Sequence, residues 1–158
     1  MISHSLEETR EIASKWLTEV SVEKNAAEAT IVGLSGHLGS GKTAFVQAVA
    51  AELGVGEQIT SPTFVIMKLY ETKNEAFPRL VHIDAYRLEE GRELTALEFE
   101  KIVADPRNLV LIEWAENVKE MLPEGTRMIE FEAVGEGERR MEFMSMPMSD
   151  LGTDVRPR

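Results

Sequence analysis

Three stretches of this 158-residue chain are almost uninterruptedly apolar: Ala29-Thr30-Ile31-Val32-Gly33-Leu34, Leu80-Val81-His82-Ile83-Asp84 and Leu109-Val110-Leu111-Ile112-Glu113. A strand with one face in water alternates polar and apolar residues, whereas a strand covered on both faces reads as a continuous apolar run. Helical patterns lie between the runs. Lys42 to Leu53 places Phe45, Val46, Val49 and Leu53 on one side, and Gly54 sits where a helix-terminating glycine belongs. Alternation of buried strands and helices predicts an α/β fold with a mainly parallel central sheet flanked by helices.

The remaining elements follow from local signals. Ser5-Leu6-Glu7-Glu8 has the form of a capping box with Glu8 as reciprocal partner, opening a helix that carries Leu6, Ala13, Trp16, Leu17 and Val20. Thr63 to Tyr70 reads as a strand. Glu93 to Val103 reads as one helix stopped at Asp105-Pro106, and Asn117 to Leu122 as a short helix stopped by Pro123. Arg127–Ala133 and Arg139–Ser145, separated by Gly135-Glu136-Gly137, predict a C-terminal antiparallel hairpin. One domain over residues 1–148 and a flexible tail over 149–158 are expected.

Composition narrows the function. The chain holds 17 basic and 28 acidic residues, a formal charge of −11, and no cysteine. Disulfide frameworks and thiolate metal sites are thereby excluded. No run reaches the roughly 18–20 apolar residues of a membrane span, and the polar, acidic start resembles no targeting peptide, so a cytoplasmic location is expected. Extensive direct contact with nucleic acid is disfavoured, because phosphate binding draws on Lys and Arg. Residues 116–138 hold seven acids against Lys119 and Arg127, a local net of −5.

The chemistry-bearing motif is Gly36-His37-Leu38-Gly39-Ser40-Gly41-Lys42-Thr43, which follows one apolar run and opens a helix. It matches the phosphate-binding loop pattern. Its glycines permit positive φ and close backbone approach, so that N–H groups converge on an anion at a helix N-terminus. Lys42 supplies charge to the outer phosphates, and Thr43 a hydroxyl for Mg²⁺. Asp84 and Glu113 each close an apolar strand, at the end where open α/β sheets bind ligands. One acid is a metal-ligand candidate and the other could orient or deprotonate water.

Ser61-Pro62-Thr63-Phe64 is either a nucleotide-sensing switch or a turn into the next strand. Arg87 either touches phosphate or pairs with Asp84 or Glu89. Trp114, directly after Glu113, is more often a core or partner-facing residue than a base-stacking one. Met141, Met144, Met146 and Met148 form either an adaptable partner surface or edge packing followed by a loose end.

Together, Gly36–Thr43, Ser61–Phe64, Asp84-Ala85-Tyr86-Arg87-Leu88 and Glu113-Trp114 resemble the bacterial tRNA threonylcarbamoyladenosine biosynthesis ATPase family, TsaE. The resemblance spans roughly residues 5–145. It implies a small P-loop ATPase using ATP and Mg²⁺. Such a protein acts with two other proteins that transfer a threonylcarbamoyl group to a tRNA adenosine, and meets tRNA only indirectly. It implies Thr43 and Glu113 as Mg²⁺ ligands, Asp84 as a catalytic or metal-linked acid, and Thr9 near the nucleotide. His37 departs from the family, which usually has an acid there. That leaves open slow hydrolysis, or none, as in a nucleotide-dependent scaffold. A small-molecule kinase is the other alternative, disfavoured because no Arg-rich lid segment is evident.

Overall fold

The apolar runs become strands whose successive side chains feed two separate cores. The computed structural model describes residues 1–60, 66–88 and 91–145. Val32 and Leu34, with Leu109 and Leu111, point into one core, while Ile31, Val110 and Ile112 point into the other. The period-2 geometry of a strand makes this division unavoidable once both faces are covered. The first face is covered by α1 (Leu6–Glu23) and α2 (Lys42–Leu53). The second is covered by two 3₁₀ segments, Gly91–Leu97 and Ala115–Met121, and a short α3 (Phe99–Val103).

The strands are β1 (Ile2–Ser3), β2 (Thr30–Ser35), β3 (Met67–Glu71), β4 (Arg79–Asp84), β5 (Asn108–Glu113), β6 (Arg127–Gly135) and β7 (Glu138–Ser145). They form one sheet in the order β1-β7-β6-β2-β5-β4-β3. The expected mainly parallel sheet is corrected to a mixed one. β6, β2, β5 and β4 run parallel, but β3, β7 and β1 pair antiparallel with their neighbours. The cause is connectivity. β3 and β4, like β6 and β7, follow each other through short connections, which allow only antiparallel pairing. The C-terminal hairpin is present as expected.

Two helical expectations change. The stretch expected as one helix over 93–103 breaks at Glu98, whose φ of 58° lies in the left-handed region. The break lets Leu94 and Phe99 both enter the second core. The helix expected over 117–122 is instead the end of a 3₁₀ segment that stops at Met121, with Leu122 extended as its cap. In α1, Ser5 accepts from the Glu8 N–H at 3.1 Å as a capping box requires, but the Glu8 carboxylate reaches the His4 N–H at 2.6 Å instead of that of Ser5. Leu6 is exposed, and Thr9 takes its place among the buried residues of the helix. The expected Ser61–Phe64 switch, Glu89, Met146, Met148 and the 149–158 tail lie outside the described residues. Met141 is fully buried in the first core, whereas Met144 is exposed.

Phe45 anchors α2 to the sheet. It is wholly buried, with edge-to-face contacts to Trp16 at 5.4 Å, Phe131 at 5.7 Å and Phe143 at 6.3 Å between ring centroids. Phe45→Ala should lower the unfolding free energy by about 3–5 kcal/mol, measured by urea denaturation. A loss below about 1 kcal/mol would mean that α2 is not held by this cluster.

Candidate functional site

Parallel pairing brings the C-terminal ends of three strands level. Leu34 of β2 lies opposite Glu113 of β5, and Glu113 lies opposite Asp84 of β4. The loop after β2 turns at this edge into the N-terminus of α2. Gly36 adopts φ 141° and Gly41 φ 109°, values that side-chain-bearing residues rarely reach. At Gly36 even a methyl group would strike the Phe131 carbonyl, so the loop closes directly on β6.

A cleft of about 490 Å³ opens beside this loop. Its walls include Leu38, Gly39, Gly41, Lys42, Thr43, Asp84 and Glu113 of the expected set, with Tyr86, Arg87, Trp114 and Arg139. Thus the loop and both strand-ending acids meet in one cavity. Gly36, His37 and Ser40 do not line it. The Gly36 and His37 carbonyls accept from Lys42 Nζ at 2.5 and 3.0 Å, and Ser40 Oγ lies 3.5 Å from it. The His37 side chain is exposed and off the cleft. Thr9 stands apart, buried, with its hydroxyl 2.8 Å from Ser3 Oγ and donating to the Ser5 carbonyl at 3.1 Å.

Lys42 is almost completely buried, and its ammonium sits 4.0 Å from the centroid of the Trp114 ring. Burial pushes its pKa below the ordinary lysine value, opposed by the negative charges of Glu113, Glu116 and Asp84. The indole reaches this position because Trp114 turns through φ 59° directly after β5, and it packs on Tyr86 at 4.9 Å. The carbonyl partners and the aromatic face supply what water no longer can.

Glu113 is buried and doubly held. Thr43 Oγ1 donates to Oε1 at 2.8 Å, and His82 Nε2 lies 2.6 Å from Oε2. His82 is wholly buried and its Nδ1 has no partner among the described residues. With Glu113 ionised, Nε2 carries the hydrogen and donates it, since a carboxylate only accepts. Asp84 sits at the cleft wall and its Oδ1 accepts from the Tyr86 N–H at 3.0 Å. Among the described residues no group of three or more His, Cys, Asp or Glu side chains could enclose a metal ion unaided. A hard cation here would draw on Thr43 and carboxylate oxygens together with oxygens of a ligand or water, which is how Mg²⁺ is ordinarily held.

The comparisons with known proteins fit this architecture. The family described as threonylcarbamoyl adenosine biosynthesis protein TsaE matches residues 3–141. The chain belongs to the TsaE family. The tRNA threonylcarbamoyladenosine biosynthesis protein TsaE of Treponema pallidum is 33% identical over 140 residues, covering 89% of this chain and 96% of its own. The protein of that name from Bacillus subtilis is 34% identical over 116 residues, covering 73% and 70%. The crystal structure of Bacillus subtilis YdiB superposes with a TM-score of 0.66 at 28% identity, over 92% of this chain and 83% of that one.

Sequence reasoning missed two residues of this family member's site, His82 behind Glu113 and Arg139 in the cleft wall, and the part that Trp114 plays there. His82 carried a signal, as the one polar residue inside a buried run. Trp114 stood in the Glu113-Trp114 motif, but its place in the cleft wall depends on a backbone turn. Arg139 carried no signal, since the hairpin brings it to the loop from about 100 residues away in sequence.

His82→Ala should cost about 3 kcal/mol of stability, because it strips a buried carboxylate of one partner. Combining it with Glu113→Gln should cost less than the two single changes summed, as read from urea denaturation. Strict additivity would show that the pair is not coupled.

Proposed function

We propose that this chain binds and hydrolyses ATP with Mg²⁺, as the ATPase component of threonylcarbamoyl modification of a tRNA adenosine. Residues 1–148 act as one P-loop ATPase domain. The observation that carries the reading is the meeting of Lys42, the Thr43–Glu113 pair and Asp84 in one cleft at the mouth of a glycine loop. Family membership supplies the tRNA context through the names of the relatives.

In this reading the loop N–H groups and the α2 N-terminus cradle the phosphates. Lys42 leaves the Gly36 and His37 carbonyls for the outer phosphates, which offer its buried ammonium a full counter-charge. Thr43 and Glu113 would hold Mg²⁺, with Asp84 beside them. The ion neutralises charge on the phosphate oxygens when bound. Glu113 is fixed through His82 and so keeps its position while Thr43 exchanges partners. Asp84, one strand further along the same edge, orients the attacking water. The backbone nature of the cradle lets His37 replace an acid, since its side chain lies off the cleft.

The protein works on two partner proteins in the cytoplasm and reaches tRNA through them. The charge of −11 supports this indirect contact. No helix among the described residues is long and apolar enough to cross a membrane.

Phosphate release should be measured with the protein alone and with its partners. Turnover of ATP without any small-molecule acceptor is expected, faster in the complex. Lys42→Ala should lose nucleotide binding or turnover, and Glu113→Ala should shift the Mg²⁺ dependence to higher concentration. Wild-type behaviour in Lys42→Ala would overturn the site. Phosphate transfer that needs an acceptor would favour a kinase.

A further inference from the structure

We propose that Arg139 is a second phosphate-binding cation, delivered to the loop by the C-terminal hairpin. The assignment rests on the nucleotide-binding reading above and extends it to a residue no motif contains.

Strand geometry puts it there. Along β7, Met141 enters the first core and Phe143 meets Phe45 of α2, so the alternate residues 139, 141 and 143 share the face that carries α2. Continuing this row toward Gly137 passes the N-terminal end of the helix. Arg139 arrives there, at Gly41: a Cβ on that glycine would lie 2.8 Å from Arg139 Cδ and 2.9 Å from a terminal guanidinium nitrogen. The side chain therefore lies over the loop immediately before Lys42 and Thr43, and it lines the same cleft.

Its bonding is incomplete. Among the described residues no hydrogen bond or ion pair engages the Arg139 side chain, and its Nε is buried without an acceptor. The neighbouring Arg140 behaves as a surface arginine ordinarily does, pairing with Glu132 at 2.8 Å. In a chain with 28 acids against 17 bases, a guanidinium that turns away from carboxylates toward an anion-binding loop is matched to a ligand anion. Several N–H donors in a fixed plane suit two oxygens of a phosphate chain better than a single ammonium does. The glycine at 41 is required for its positive φ, and its bare Cα leaves room for the Arg139 guanidinium to lie directly over the loop.

The test is equilibrium binding of ATP and of inorganic tripolyphosphate, followed by titration calorimetry, for wild type, Arg139→Ala, Arg139→Gln and Arg139→Lys. Loss of a charge-assisted contact should weaken both ligands about ten- to a hundredfold in the Ala and Gln variants. Arg139→Lys should fall between them and wild type. The Gln variant keeps the side chain's length and polarity, so it carries the test should Arg139→Ala fold poorly. Unchanged affinity for both ligands, with Lys42→Ala still impaired, would overturn this assignment and leave the ATPase reading standing. Weakened ATP but unchanged tripolyphosphate would overturn it too, by moving Arg139 to the base or ribose. Failure of the wild-type protein to bind either ligand would overturn both.

Discussion

Everything at the cleft depends on the register of three parallel strands. Leu34, Glu113 and Asp84 are neighbours across β2, β5 and β4, so the strands finish level and deliver a loop and two carboxylates to one edge. A slip of one residue would turn each acid to the opposite face of the sheet. Register of this kind is fixed by burial on both sides. Leu109, Val110, Leu111 and Ile112 send alternate side chains into two cores, and no shifted pairing would keep both filled. The precision of the site is thus an outcome of apolar packing well behind it.

The same packing explains what was legible in advance. Uninterrupted apolar runs announced the interior strands, and Gly36–Thr43 announced the turn into α2, because local rules act there without competition. The edges were harder. β3 is half-buried, so composition alone did not betray its direction, which was set by the short connection to β4; the β6–β7 hairpin was readable from its turn. The helix expected over 93–103 followed good apolar spacing, yet a break at Glu98 fits Leu94 and Phe99 to the sheet surface better than a straight helix can. Among site residues, those in the loop and at strand ends were readable because their chemistry is tied to local sequence. His82 and Arg139 act across the sheet, and only the fold brings them to Glu113 and Gly41.

Electrostatics gives the cleft a character unlike the rest of the molecule. Lys42 is buried against an indole and three oxygen atoms of its own loop, with carboxylates nearby that moderate the loss of hydration. Five other basic side chains, those of Arg79, Lys101, Arg107, Arg127 and Arg140, are spent on acids at or near the surface. Such exposed pairs contribute little to stability. At the glycine loop, Lys42 and Arg139 concentrate two cationic side chains in the wall of one cleft, within a chain of formal charge −11.

Trp114 shows what that concentration demands of the backbone. A bulky residue at φ 59° carries a conformational cost of about 1–3 kcal/mol, which glycine at the same place would relieve. The twist is what swings the indole back over Lys42. Position 114 is therefore a place where selection for a more robust fold and selection for an organised cleft pull in opposite directions. A search for thermostable variants that scores folding alone would drift toward glycine there, and would dismantle the aromatic wall in doing so.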